Sequence, residues 1–236
     1  MKAHPIPDSP VSQRQSALVI AIDGPAGAGK STVARLLAAR LGYLYLDTGA
    51  LYRAIAWKAR ERGLAATDEV ALARMLAETS LEVRHEGGVM HVIVDGRDVN
   101  GELRAPDISA LASAVSSLPA VRDWLLPVQR RIGERGAVVA EGRDIGTRVF
   151  PSADLKFFLD ANMEVRAQRR YRELRAAGRG VSLEETQEDL RMRDHRDQTR
   201  ATAPLQRATD AVTIDTSDVN AEKVVDHMLE AIAAKR

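Results

Sequence analysis

Residues 24–31 read Gly24-Pro25-Ala26-Gly27-Ala28-Gly29-Lys30-Ser31, which is the spacing G-x-x-x-x-G-K-[ST]. Glycines at these places let the backbone wrap so that successive N–H groups point at one anion. A helix starting just after them adds the positive end of its dipole. In that arrangement Lys30 reaches the β- and γ-phosphates of a nucleotide and the Ser31 hydroxyl coordinates Mg²⁺. Thr32 adds a contact to the α-phosphate. A chance glycine-rich turn would share these letters. The flanks argue for function: residues 17–23 are a short apolar run that reads as a buried strand, and Val33, Leu36, Leu37 and Leu41 follow at helical spacing before Gly42.

Two further stretches carry charge where a second ligand would need it. The apolar run 137–140 ends in Glu141-Gly142-Arg143-Asp144, which suggests a site for a second anion and a polar group. Residues 166–200 hold ten arginines, no lysine and seven acidic residues. Arginine offers a planar fork matched to phosphate and stays charged. Such a segment reads as a solvated helix pair with surface ion pairs, as an RNA-binding surface, or as a mobile lid closing over a transferring phosphate. Not every arginine can face one small ligand, so the first reading must hold for many of them. Arg193, Arg196 and Arg200 lead among those left for a lid.

The elements that must position these groups alternate in type. Strands are expected at 17–23, 43–46, 137–140, 155–159 and 211–214. Helices are expected at 30–41, 50–62, 108–115, 121–132, 163–177 and 221–234. Another is capped by Thr67 or Asp68 and runs to about Glu78. The capping box Ser182-Leu183-Glu184-Glu185 opens one more, which ends before Pro204. Between them, residues 81–84 and 89–94 flank Gly87-Gly88 as a β-hairpin, and the turn Asp95-Gly96 leads to a third short strand at 97–99. The alternation predicts an α/β fold with a parallel five-stranded sheet flanked by helices, a small antiparallel insertion and a helical, arginine-rich lid. Ligands in such sheets bind at the carboxyl ends of the strands.

The chain of 236 residues fits one α/β domain with insertions, and a net charge of +1 disfavours a dedicated nucleic-acid binder. It has no cysteine, which removes disulfides and thiolate chemistry and agrees with a reducing, cytoplasmic location. His4, His85, His91, His195 and His227 show no metal-ligand spacing. No run is long enough to span a membrane. Residues 1–16 hold three prolines and no apolar h-region, and read as a disordered extension rather than a secretory signal. The three asparagines supply no N-K-x-D, and L-S-G-G-Q is absent, which argues against a GTPase and a transporter-type ATPase.

The stretches IDGPAGAGKST (22–32), LDTGALYR (46–53), EGRDIGTRVFP (141–151), FFLDA (157–161) and RDHRDQTRATAPL (193–205) together resemble the bacterial cytidylate (CMP/dCMP) kinases. The resemblance covers the chain from about residue 17 to its end. It implies ATP as phosphoryl donor, Mg²⁺ as cofactor, CMP or dCMP as acceptor, and no macromolecular partner beyond the monomer. It implies that Thr48 and Arg53 contact the acceptor nucleotide. Arg53, Arg143 and Arg200 resemble an acceptor-phosphate clamp. Ser113, Arg122 and Asp144 resemble the readers of cytosine, and Asp197 the contact to the sugar with Arg193 beside it. Lys30, Arg143, Arg193 and Arg200 are then the catalytic charges. The implied division is a core of 17–79, 113–168 and 192–236, an acceptor-binding insertion near 80–112 and a lid near 169–191.

The residues themselves leave some places open. Ser113 also reads as a small helix-packing residue, and Arg122 as a surface charge at a helix start. Tyr52, Trp57 and Trp124 read as packing rather than base-stacking. Asp23 orients Lys30, caps the loop or simply ends a strand. Asp47 is either an N-cap or the holder of a Mg²⁺-bound water. An acceptor that is a phosphate oxygen is already anionic, so no general base is needed, in keeping with the lack of a placed histidine. Other readings are a P-loop kinase for UMP and CMP together or for a non-nucleotide metabolite, and a nucleotide-dependent RNA-binding module.

Overall fold

The computed structural model describes residues 17–235; the N-terminal extension expected at 1–16 lies outside the described residues. Five parallel strands form the main sheet: β1 (Val19–Asp23), β2 (Leu44–Asp47), β6 (Val138–Gly142), β7 (Leu155–Asp160) and β8 (Val212–Asp215). Their spatial order is β2-β6-β1-β7-β8. The central strand β1 is almost wholly apolar because both its faces are covered. Ile20 and Ile22 turn to the face packed by α1 (Lys30–Leu41) and α8 (Ala221–Ala234), where Leu37, Val225 and Met228 meet them. Ala21, with Val138 and Ala140 of β6, turns to the face packed by α2 (Thr48–Glu61) and α5 (Pro119–Gly133).

The second sheet is the antiparallel insertion, β3 (Leu81–Glu86), β4 (Val89–Val94) and β5 (Arg97–Asp98). It follows α3 (Glu69–Ala77), whose N-cap is Asp68, and precedes α4 (Pro106–Val115). It is tied to the core: the buried Lys58 ammonium pairs with Asp95 at 2.7 Å, and the Asp47 amide donates to Met90 Sδ at 3.4 Å. Helices α6 (Met163–Ala176) and α7 (Leu183–Thr199) form an antiparallel arm, and α7 opens on the expected capping box at Ser182 and Glu185.

Element ends differ from the sequence reading for local reasons. Ala137 has φ of 51°, so the extended backbone begins one residue later, and β6 runs on through Glu141 and Gly142. Helix α2 starts at Thr48 because the Asp47 carboxylate accepts the Ala50 amide at 2.9 Å. Gly24 stands at φ 148°, and a Cβ there would lie 2.0 Å from the Leu159 carbonyl oxygen. Only glycine lets the loop leave β1 against β7.

Candidate active site

Parallel register gathers the ends of the strands. Asp23 of β1 lies beside Gly142 of β6, and Asp47 of β2 beside Glu141. The glycine-rich loop Gly24–Gly29 leaves β1 here and runs into α1, so Gly24, Pro25, Ala26, Gly27, Ala28 and Gly29 surround the helix start as expected. Lys30 is buried, and its ammonium donates to the Pro25 carbonyl at 2.7 Å. Burial, and next the like charge of Arg143, lower its pKa to about 7. Thr32 is exposed in the first turn of α1.

The Ser31 hydroxyl donates to Glu141 Oε1 at 2.5 Å, and the Tyr45 hydroxyl donates to the same oxygen at 3.1 Å. Burial, then the like charge of Asp47, push the Glu141 carboxyl above its ordinary range. A hydroxyl and a crowded, buried carboxylate at the end of the phosphate loop are a hard-oxygen donor set, and a divalent cation would relieve the crowding. Mg²⁺ needs only one or two such protein ligands beside substrate phosphates and water. Among the described residues no group of three or more His, Cys, Asp or Glu forms a cage. The fit is therefore to an ion shared with a phosphate ligand. Asp47 acts as N-cap, and its other oxygen accepts from Arg53 at 2.7 Å.

Beyond β6 lies a buried ion-pair network. Asp144 is 4% exposed; its Oδ2 accepts from Arg122 and its Oδ1 from Arg200 at 3.3 Å. Arg143 Nε donates to Asp197 Oδ2 at 2.8 Å, and Arg200 lies 3.8 Å from Asp197 Oδ1. Arg122 is 3% exposed rather than a surface charge, donates to the Ser116 carbonyl at 3.0 Å, and lies over the Tyr52 ring at 5.4 Å. Trp57 is buried in the core and Trp124 packs against it, as expected for packing residues.

Helix α7 explains which arginines take part. Thr186, Leu190, Asp194 and Asp197 form its buried stripe at helical spacing, and Arg200 closes it. Arg193 is half-buried beside that stripe, whereas Arg196 is exposed and donates to the Ser113 hydroxyl on α4. Arg172, Arg175 and Arg191 are exposed, in keeping with a surface reading for part of the cluster. Thr48 is buried, its hydroxyl donating to the Glu141 carbonyl at 2.8 Å. So Lys30, Arg143, Asp144, Arg122, Asp197 and Arg200 come together, while the Ser113 hydroxyl is engaged by Arg196.

Two partnerships were not read in the sequence. Glu141 becomes the partner of Ser31 only because β6 extends past its apolar part. Arg166, read as one of a surface or lid cluster, is buried; it donates to the Ala26 carbonyl at 3.1 Å, the Ala161 carbonyl at 2.9 Å and Asp194 at 2.5 Å. It thus ties the phosphate loop to both helices of the arm. The sole local signal was its place in the first turn of α6, six residues after the strand end Asp160.

Three cations of this site, Lys30, Arg193 and Arg200, are held below their ordinary pKa by burial and by a neighbouring cation. Burial, then the charge of Arg143, holds the Arg193 guanidinium below its ordinary pKa. Burial, then the charge of Arg122, does the same to Arg200. Polyanionic ligands relieve such crowding. Lys30 gives a direct measure of this. With a pKa near 7 it is mostly neutral at pH 8, and a bound phosphate raises the pKa again. Nucleotide binding at pH 8 should therefore take up about one proton, and Lys30→Met should abolish the uptake. Calorimetric titration in buffers of different ionisation enthalpy reads this number; equal heats in all buffers would contradict it.

The family model described as cytidylate kinase matches residues 20–234. A cytidylate kinase of Geobacter sulfurreducens is 48% identical over 219 residues, covering 93% of this chain and 94% of that protein. One of Syntrophotalea carbinolica is 48% identical over 219 residues, covering 93% of each. Among solved structures, shikimate kinase from Acinetobacter baumannii in complex with shikimate has a TM-score of 0.46 and 20% identity, covering 94% of this chain and 96% of that one. Among the described residues no helix is long and apolar enough to cross a membrane. With the match running from the central strand to the last helix, and relatives nearly half identical along almost their whole length, the chain belongs to the cytidylate kinase family.

Proposed function

We propose that this chain transfers the γ-phosphoryl group of ATP to CMP or dCMP, giving ADP and CDP or dCDP. The observation that carries this reading is Asp144, an acceptor-only carboxylate fixed by Arg122 and Arg200 next to Arg143 on the rim shared with Lys30. A carboxylate has room for about four hydrogen bonds, so Asp144 retains acceptor capacity beyond its two arginines. Cytosine presents an exocyclic amine to such an acceptor, whereas uracil presents an oxygen. Acceptor against acceptor leaves a buried polar pair unsatisfied, and discrimination by that route is large.

The chemistry asked of the remaining residues is positioning and charge. The acceptor nucleophile is a phosphate oxygen, anionic near neutral pH, so no group need remove a proton. Arg53, Arg143 and Arg200 clamp the acceptor phosphate, Asp197 meets the sugar with Arg193 beside it, and Thr48, Ser113 and Arg122 help to hold the nucleotide. The loop 24–32 and Lys30 hold the donor phosphates in line with it. Mg²⁺, held by Ser31 with Glu141 behind it, would supply charge neutralisation across the donor phosphates. In this reading residues 17–79, 113–168 and 192–236 are the core, 80–112 the acceptor-binding insertion, and 169–191 the lid that excludes water. All of these residues lie on one chain, so a monomer suffices.

The test is ADP release with ATP and Mg²⁺ against CMP, dCMP, UMP, AMP, GMP and no acceptor. Turnover confined mainly to CMP and dCMP is expected. A different preferred acceptor would overturn the substrate assignment. Asp144→Ala should weaken CMP use by tenfold or more beyond its effect on UMP; equal losses would remove Asp144 as base reader.

A further inference from the structure

Asp144 stands at the N-cap position of a five-residue π-helical turn, Ile145–Val149, yet its side chain makes no capping bond. Aspartate at such a position ordinarily accepts from the first free amides of its own helix. Here the turn is closed through the Asp144 main chain, whose carbonyl accepts from the Arg148 and Val149 amides at 2.9 and 3.1 Å. The free amides of the turn go elsewhere. Asp23, at the end of β1, accepts from Ile145 N–H through Oδ1 and from Gly146 N–H through Oδ2, both at 2.8 Å.

We propose that Asp23 is a positioning residue that caps this turn from the neighbouring strand, so that the Asp144 carboxylate, held by Arg122 and Arg200, is not drawn into capping its own turn and keeps acceptor capacity for the acceptor base. The inference rests on the reading of Asp144 as base reader. Several features agree with it. Asp23 is 4% exposed, so its two bonds are not shared with bulk water. It is bonded on both oxygens, which fixes the carboxylate plane and thereby the direction in which the turn departs. It directly precedes Gly24, so one residue ties the donor-phosphate loop to the acceptor-reading turn. A Cβ at Gly146 would press on the Lys156 side chain, 3.0 Å from Cδ, and would lie in ordinary contact with Asp23 Oδ2 at 3.4 Å. A buried carboxylate is costly unless its hydrogen bonds are worth more. Burial raises the Asp23 pKa to about 6, and the two amides oppose that rise. A residue that merely ends a strand would have no reason to be an aspartate here.

Asp23→Asn keeps the shape but replaces one acceptor oxygen by a donor, which must face an amide N–H. The CMP-over-UMP ratio of kcat/KM should fall about tenfold, with ATP affinity changed by no more than about twofold. Exchange of the Ile145 and Gly146 amides, followed by NMR on the full chain, should quicken about tenfold or more while that of Val139 and Ala140 stays the same. Asp23→Ser, whose single short hydroxyl cannot accept from both amides, should lower the same ratio and serves if Asp23→Asn does not fold. Asp144→Ala is measured alongside. If it loses the preference while Asp23→Asn and Asp23→Ser keep both preference and amide protection, the Asp23 proposal is overturned and the Asp144 reading stands. If Asp144→Ala keeps the preference, the Asp144 reading falls. Amide exchange then still decides whether Asp23 caps the turn.

Discussion

Lys30→Ala should lower kcat by about a thousandfold with the fold intact, an effect of the size found when one group stabilising transition-state charge is removed. The ammonium is buried at the start of α1, with Pro25 as its hydrogen-bond partner. No other lysine or arginine lies in the loop 24–29. The fold has no need of that charge. Burial and Arg143 already work against it, as the lowered pKa of about 7 records. Removing it should leave the melting temperature within a few degrees of the parent. Stopped-time ADP release at saturating ATP and CMP, beside a thermal melt, separates the two effects. A near-parental rate would take Lys30 out of the transfer step. A collapsed melt would make it a structural residue.

The groups that were readable in sequence are those whose signal is local. The loop 24–31 and its flanking strand and helix, the hairpin about Gly87-Gly88, and the capping box at Ser182 each depend on residues within a few positions of one another. The residues at 143, 144, 193 and 200 stood out because they follow a buried strand or sit in one arginine-rich segment, whereas Asp197 was named only through the family resemblance. What could not be read are partnerships made by sheet register. Asp23 finds Ile145 and Gly146 because β1 and β6 run parallel with Asp23 opposite Gly142. Ser31 finds Glu141 across 110 positions of chain. Arg122 could be a surface charge on its own helix until Asp144 arrives from another element. No period or composition encodes these pairs, since each partner is locally an ordinary polar residue at the end of an element. Arg166 shows the converse. A run of arginines looks uniform in sequence, and only the packing of α6 on the phosphate loop singles out one of them as buried.

Arg200→Ala should reduce kcat/KM for CMP by about a thousandfold while ATP affinity changes by no more than about twofold. The position is built for a fixed fork. Arg200 caps the end of α7, and its Nε donates to the Ala203 carbonyl at 2.7 Å. Ala203 has φ of 50°, and the Leu205 amide returns to the Asp197 carbonyl at 2.7 Å, so the loop after α7 folds back around the guanidinium. The side chain is 4% exposed and spans Asp144 and Asp197. Truncation leaves two buried carboxylates each one cation short, and such a loss costs about 3–5 kcal/mol of stability. Activity alone would therefore mix two effects. Arg200→Lys separates them: a point charge balances the carboxylates but cannot hold Asp144, Asp197 and a phosphate in one plane. The lysine variant should recover most of the melting temperature and little of the turnover. Full recovery of both would mean that charge alone suffices. A loss confined to ATP affinity would move Arg200 from the acceptor side of the reaction to the donor side.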